Sequence, residues 1–313
     1  MRAWPVGVAV GVAFAAFAAG CGGSSNRTTA TGQTRSTQSL FAYDRSAPLG
    51  FRDSGRVNRR TPIAVHDVSY ESPKGGRVPG YLIVPPGRGR HPAVIYMHGR
   101  GGNRLDFVVP GSWMAARGAV ALTIEAPFER AHVQLLRGKA GARRERDLTV
   151  QNVVELRRAV DLLQSLPQVD PKRIAYVGLS AGAHVGAILA GVEHRIKAFD
   201  LLSGGAFPVS AFANAAAPSD RLEITRVLKE IDALRYVRRA APSALLFQDG
   251  LRDQVVPRAA LLALSQAGSR PKEVRWYAAG HGLDTRAYRD QLRWLSRRLG
   301  LDGPVVRGAL AGP

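Results

Sequence analysis

The sequence predicts an α/β protein: an eight-stranded, mostly parallel sheet with helices on both faces. Two observations carry this. Beyond residue 60, short apolar runs alternate with longer helical patterns, as strand–helix–strand units require. The run Ile174-Ala175-Tyr176-Val177 ends in Gly178-Leu179-Ser180-Ala181-Gly182 and passes at once into helix-forming residues. No internal repeat is evident, and the chain after its N-terminal region amounts to about one domain.

Taken in order, the chain opens with Arg2 and an apolar run from Val6 to Ala19. A run of about 14 residues is too short to span a bilayer and fits the core of a signal peptide over residues 1–20. Ala18-Ala19-Gly20 precede Cys21, the only cysteine, so no intramolecular disulfide can form. Gly22 to Gln38 are rich in Gly, Ser, Thr, Asn and Gln and read as flexible, within a tether assigned to residues 21–48. A domain from 49 to 302 follows, then a tail over 303–313.

Within the domain, strands are expected near Ile63–Tyr70 and Gly80–Val84, an antiparallel pair joined by the turn Ser72-Pro73-Lys74-Gly75-Gly76. Further strands are expected at Ala93–His98, Ala119–Ile124, Ile174–Val177, Ala198–Leu202, Ser243–Phe247 and Glu273–Tyr277. Helical patterns cover Gly111–Arg117, Thr149–Leu166, Ala181–Gly191, Ile224–Arg239, Arg258–Gln266 and Thr285–Leu299. Two connections are long, Ala126 to Asp147 and Gly204 to Ala241. Long connections in a compact domain are usually functional loops or lids, and these are expected to overhang Ser180.

A strand that ends in Gly-x-Ser-x-Gly and turns straight into a helix is the sequence form of a nucleophile elbow. The turn crowds the residues two before and two after the serine, so glycine is wanted at 178 and 182. A serine hydroxyl needs a base to take its proton, and the base needs a third group to orient it. After Ser180, the strand-like Ser243–Phe247 is followed by Asp249 and Asp253. The strand-like Glu273–Tyr277 is followed by Gly280-His281-Gly282. His281 is the only histidine beyond residue 194, which makes it the base; either Asp249 or Asp253 could be the acid. Each group alone also reads as an ordinary turn residue; it is their order, each following a strand, that suggests a catalytic triad. The amide of Ala181, after the nucleophile, is a candidate oxyanion donor.

Residues Ile63 to Leu299 resemble the α/β-hydrolase superfamily, most closely the dienelactone-hydrolase, acetyl-xylan-esterase and prolyl-oligopeptidase-like branch. The likeness rests on Pro92-Ala93-Val94-Ile95-Tyr96-Met97-His98-Gly99, on Val169-Asp170-Pro171-Lys172-Arg173-Ile174, and on the elbow. It departs at Ala183, where many relatives carry glycine. The resemblance implies an α/β-hydrolase fold and favours Asp253 as the acid, because Gly250-x-x-Asp253-x-x-Val256-Pro257 is similar to the superfamily's acid loop. It also implies a second oxyanion donor in His98-Gly99-Arg100-Gly101-Gly102, the Arg100 amide first and Gly101 second. Ala18-Ala19-Gly20-Cys21 resembles a bacterial lipoprotein box, implying acylation of Cys21 and an anchor outside the cytoplasmic membrane; it departs at Ala18, where leucine is usual.

The expected activity is therefore hydrolysis of small carboxylic esters through an acyl-enzyme. A prolyl-oligopeptidase-like peptidase or amidase, and a non-catalytic binding protein on the same scaffold, are the alternatives. The glycine loop fails as a dinucleotide site, since Gly-x-Gly-x-x-Gly breaks at Arg104. His98 is expected to brace the oxyanion loop, and His184 to be packed or solvated. No His/Cys cluster has metal-ligand spacing, so neither metal nor cofactor is expected. The formal charge is +20, from 38 Arg and 6 Lys against 24 acidic residues. These cations are spread along the chain without aromatic interleaving, which argues against nucleic acid and for an anionic lipid or wall polymer as counter-charge.

Overall fold

The computed structural model describes residues 40–58, 61–130, 137–206 and 209–301. The expected signal segment, Cys21, the tether as far as residue 39 and the tail over 303–313 lie outside the described residues.

One nine-stranded sheet forms the middle layer. Its strands are β1 Arg52–Arg56, β2 Ala64–Glu71, β3 Arg77–Val84, β4 His91–Met97, β5 Val120–Ile124, β6 Val169–Leu179, β7 Ile196–Leu202, β8 Ala244–Gly250 and β9 Lys272–Tyr277. They lie in the order β1-β2-β3-β5-β4-β6-β7-β8-β9. The pairs β1·β2, β2·β3 and β3·β5 are antiparallel, and every pairing from β5·β4 to β9 is parallel. From β4 the chain steps outward to β5 and then returns to the far side of β4 as β6. The strand order therefore reverses at β4 and β6, and their C-terminal ends open into the crevice where open α/β sheets place their sites.

The expected eight strands become nine because β1, Arg-Asp-Ser-Gly-Arg, is a strand with no core face: all five residues are exposed. An edge strand of this kind leaves no apolar alternation to read.

The parallel strands bury both faces, which is why they read as continuous apolar runs. Ala93, Ile95 and Met97 of β4 point into one cluster with Tyr176, Phe199 and Phe247, while Val94 and Tyr96 point into another with Val177, Leu246 and Trp294. The first cluster is covered by α3 Gly138–Ser165 and α4 Ala181–Ala190, the second by α1 Val108–Ala115 and α9 Thr285–Leu299. A short helix α2, Pro127–Arg130, follows β5, and α8, Arg258–Ala267, follows β8.

Both long connections contain more helix than expected. The first holds α2 and the opening turns of α3, which begins at Gly138 and not Thr149. Residues 138–147 are almost wholly polar and offer no apolar stripe. They are held by charge: Lys139 to Asp220 at 3.1 Å, Arg146 to Glu230 at 3.0 Å, and Arg143 to Glu223. The second holds α5 Val209–Asn214, a 3-10 turn at Pro218–Asp220, α6 Arg221–Lys229 and α7 Ala233–Val237. The single helix expected over Ile224–Arg239 is broken at Asp232, whose side chain caps α7 by accepting from the Leu234 amide at 3.0 Å.

Residues 40–48, assigned from the sequence to the tether, instead belong to the domain. Phe41 is 1% exposed and meets Tyr236 of α7 edge-on at 5.6 Å. Its carbonyl accepts from Arg157 at 2.6 Å, and the Tyr43 hydroxyl donates to Asp161 at 2.6 Å. Arg158, itself buried, donates to the carbonyls of Arg45 and Ala47. One aromatic in a polar stretch gives no periodic signal, so only tertiary packing reveals the clasp.

Truncating a buried phenylalanine to alanine costs about 3–5 kcal/mol. Phe41→Ala is expected to lower the unfolding free energy by about that amount in urea denaturation. An effect near zero would show that the clasp contributes nothing to the fold.

Candidate active site

Four loops converge above the C-terminal ends of β4, β6, β8 and β9, in three groups. The first is the turn from β6 into α4. Ser180 sits there at φ 56° and ψ −113°, a backbone conformation that non-glycine residues seldom adopt and that costs energy to hold. It is held by its own amide, which donates to Leu202 O at 2.8 Å, and by its carbonyl, which accepts from His184 N at 3.0 Å. The glycines expected at 178 and 182 are required by close approach. A β-carbon on Gly178 would lie 2.5 Å from Gly182 C, and one on Gly182 would strike the carbonyl oxygens of Met97 and His98. The Tyr176 hydroxyl ties the turn down by donating to Gly182 O at 2.7 Å.

The second loop runs from β4 through His98 and Gly99. A β-carbon on Gly99 would stand 3.0 Å from Ser180 Cβ, so this loop lies directly against the elbow. His98 is 1% exposed and both its ring nitrogens are engaged: Nδ1 donates to Gly99 O at 2.7 Å, and Nε2 accepts from Ala126 N at 3.1 Å. That donor–acceptor pattern is satisfied by the neutral Nδ1–H tautomer. Glu125 stands 3.8 Å from Nε2, beyond hydrogen-bond range, so His98 is a brace and not half of an ion pair. The Gly101 amide donates to Glu129 at 2.7 Å, which takes it out of contention as an oxyanion donor. The Arg100 guanidinium donates to both oxygens of Glu145, each at 2.6 Å, and lies over the Phe128 ring at 5.0 Å. Across from Arg100, the Ala181 amide is among the first four of α4, which have no acceptor inside the helix.

The third element is a pair of loops after β8 and β9. Gly250 packs so closely on the second loop that a β-carbon would lie 2.5 Å from Gly280 O. Leu251 N donates to Tyr277 O at 2.8 Å, and Arg252 N to Ala279 O at 2.9 Å. This contact brings His281 Nδ1 to 2.8 Å from Asp253 Oδ2. The other Asp253 oxygen accepts from the amides of Val255 and Val256, at 2.8 and 3.0 Å. Burial works to raise the Asp253 pKa, but the hydrogen bonds from His281 and those two amides outweigh it and hold the carboxyl below its ordinary range. His281 is positioned by its backbone too: its carbonyl accepts from Ser203 Oγ at 2.7 Å, and Ser203 follows Leu202, the residue that holds the Ser180 amide.

Of the two carboxylates open from the sequence, it is Asp253 that meets His281. Asp249 ends inside the protein, with Oδ2 unpartnered among the described residues. Burial first, and then the charge of Asp253, push it up to about 7. Beside it Asp200, fully buried and given one hydrogen bond by Gln291 at 2.8 Å, is pushed up to about 8, mainly by burial. His184 is buried with Nδ1 3.2 Å from Gly205 O, and burial lowers its pKa. Ser203, Glu129, Glu145 and Asn152 went unread in the sequence. Asn152 alone left a trace, a polar residue between Leu148 and Leu156 on one buried face of α3. Among the described residues no group of three or more His, Cys, Asp or Glu side chains could hold a metal ion, and no helix is long and apolar enough to cross a membrane.

Comparison with known proteins places this architecture. Residues 54–202 match the family model of the acetyl xylan esterases, a span that includes the elbow and the His98 loop and ends before Asp253 and His281. The esterase FrsA of an Enterobacter species is 28% identical over 157 residues, covering 50% of this chain and 35% of that protein. Mouse acyl-coenzyme A thioesterase 3 is 24% identical over 213 residues, 65% of this chain and 46% of that one. The chain thus spans less than half the length of these curated relatives. The solved acetyl xylan esterase of a Paenibacillus species superposes with a TM-score of 0.69 at 22% identity, covering 84% of this chain and 92% of the other. That of a Thermoanaerobacterium species gives 0.69 at 18% identity, covering 86% and 93%.

The two carboxylates separate experimentally. Asp253→Asn should lower kcat by about 10³–10⁴, as when an amide orients the wrong imidazole tautomer, while Asp249→Asn should leave turnover near wild type. The raised Asp249 pKa has the opposite consequence for stability. A carboxyl with a raised folded-state pKa favours the fold while protonated, and that contribution is lost as pH rises toward 7. Asp249→Asn should therefore melt higher than wild type above pH 7, with the gap closing towards pH 4. Equal melting curves at both pH values would contradict the neutral buried acid.

Proposed function

We propose that this chain, whose fold is that of the α/β-hydrolases, is a serine hydrolase of carboxylic esters with short acyl groups, working through an acyl-enzyme. One observation carries the reading: a serine held in a strained elbow is linked through Leu202 and Ser203 to the backbone of a histidine whose Nδ1 is paired to a carboxylate held below its ordinary pKa. The esterase names among the relatives support it.

In this mechanism Ser180 Oγ attacks the ester carbonyl while His281 Nε2 takes its proton. Asp253 keeps the proton on Nδ1 and stabilises the imidazolium as it forms. The amides of Ala181 and Arg100 hold the oxyanion, each contributing about 3–4 kcal/mol to the barrier by the usual measure of such donors. Collapse expels the alcohol, which takes its proton from His281. Water then repeats the cycle on the acyl-enzyme and releases the acid. The Glu129 bond to Gly101 and the two bonds of His98 serve to keep the Arg100 amide in place before substrate arrives. A short acyl group is supported by the small cavity lined by Arg100 and Ala181, about 10 Å³, room for one water or methyl.

The enzyme is further proposed to be exported and held outside the cytoplasmic membrane by acylation of Cys21. The apolar run ahead of Cys21, and its being the only cysteine, support this. A single acyl chain binds membranes only marginally, so stable retention calls for more than one chain or help from the basic surface.

Ser180→Ala should keep the fold and lower hydrolysis of a small activated ester by about three orders of magnitude or more. It should also abolish labelling by a fluorophosphonate probe; retained turnover in the folded variant would rule out the serine mechanism. In the native host, Cys21→Ser should abolish incorporation of a labelled fatty acid and leave catalysis intact. A mature protein that is unlabelled and begins beyond Cys21 would make this an ordinary secreted hydrolase.

A further inference from the structure

The small cavity beside the oxyanion donors contains a group that the reaction as described does not use. Arg100 and Ala181 line it with the apolar Phe128, Leu148 and Val185 and the polar Glu145, Thr149 and His184. None of Ser180, Asp253 and His281 lines it; Ala181, next to Ser180, does. Since His281 must protonate the leaving alcohol, the alcohol belongs beside His281, and the cavity bounded by Arg100 and Ala181 is here assigned to the acyl group.

Asn152 of α3 also lines it, 0% exposed. Neither the Nδ2 nor the Oδ1 atom of its carboxamide has a hydrogen-bond partner among the described residues. An apolar acyl tip would leave both atoms dry, which is costly for a buried amide. A carboxamide both gives and takes hydrogen bonds, so a hydroxyl or carbonyl oxygen satisfies it. A charged tip does not suit the site: the nearest cation, Arg100, is already bound twice by Glu145. The cavity holds only a water-sized group, so the polar atom lies within a few bonds of the ester carbonyl.

We propose that Asn152 is a specificity-determining residue, and that the enzyme prefers esters of short, neutral hydroxyacyl or ketoacyl groups over their alkyl isosteres. The proposal rests on the ester-hydrolase reading above and adds the chemistry of the acyl tip. A site that hydrogen-bonds a substrate hydroxyl discriminates strongly against the analogue lacking it, because its own polar groups are then left unpaired.

The test uses matched phenyl esters in which a hydroxyl replaces a methyl: lactoyl against 2-methylpropanoyl, and 3-hydroxybutanoyl against 3-methylbutanoyl. The wild-type protein should favour the hydroxyacyl member of at least one pair by about tenfold or more in kcat/KM. Asn152→Leu, similar in volume, should bring that ratio to one or invert it. Binding of the free acids to the wild-type protein by calorimetry, lactate against 2-methylpropanoate and 3-hydroxybutanoate against 3-methylbutanoate, should show the same order without turnover or a variant. A ratio at or below one in both pairs, or an unchanged ratio in folded Asn152→Leu, overturns the proposal. Should no ester be hydrolysed, acetyl included, the ester-hydrolase reading fails on its own, and the calorimetric order still decides whether the pocket selects a polar tip. A water that stays on Asn152 would show itself as equal binding of both members of each pair, which also overturns it.

Discussion

Everything at this site depends on how closely two backbone turns touch. The β6–α4 elbow and the loop after β4 come together with no side chain between them: Gly182 lies on the carbonyls of Met97 and His98, and Gly99 lies against Ser180. Any residue larger than glycine at these points would push the strands apart or tilt α4 away. The contact follows from topology, since β4 and β6 are neighbours at the point where strand order reverses. It sets Ser180, the proposed nucleophile, and Ala181 against the loop that carries Arg100 without a long side chain having to reach across. Tyr176, His98 and Glu129 then fix the two turns by hydrogen bonds that are present before any substrate binds. Donors positioned in advance need no reorganisation as charge develops.

A second set of constraints places the base. The loops after β8 and β9 come from neighbouring parallel strands, and glycine-scale contact at Gly250 draws them together. Asp253 is kept ionised by hydrogen bonds that outweigh its burial, whereas Asp249, four residues earlier, has no such donors and is pushed towards neutrality. The pair shows why position along a strand end decides a carboxylate's use. A residue in the last turn of the ladder faces the protein interior, and one just past it can turn to meet a histidine.

Much of this was legible in the sequence, for identifiable reasons. Strands buried on both faces leave unbroken apolar runs, so β4 to β8 could be read directly. Ser180 and His281 could be read because the elbow demands glycine and because no other histidine follows residue 194. What escaped lacks any such imprint. Strand β1 has no buried face, the first turns of α3 are held by ion pairs with α6 and its surroundings, and the break before α7 is a capping aspartate inside an otherwise helical pattern. Gly101 is the second choice behind Arg100 in the sequence, and Glu129, from a different element, occupies its amide. In each case the deciding partner is remote in sequence. Patterns along the chain record local periodicity and burial, and say little about which distant carboxylate will claim a given N–H.

The clasp at Phe41 bears on mechanics. A pulling force on the chain ahead of Leu40 first meets the Phe41 ring against Tyr236, then the Arg157, Asp161 and Arg158 bonds along α3. These contacts lie on helices, away from the β4, β8 and β9 loops that hold the reacting groups. Load therefore enters α3 and α7 first, and both helices also touch the site: α3 through Glu145 and Asn152, and α7 through its packing on α4.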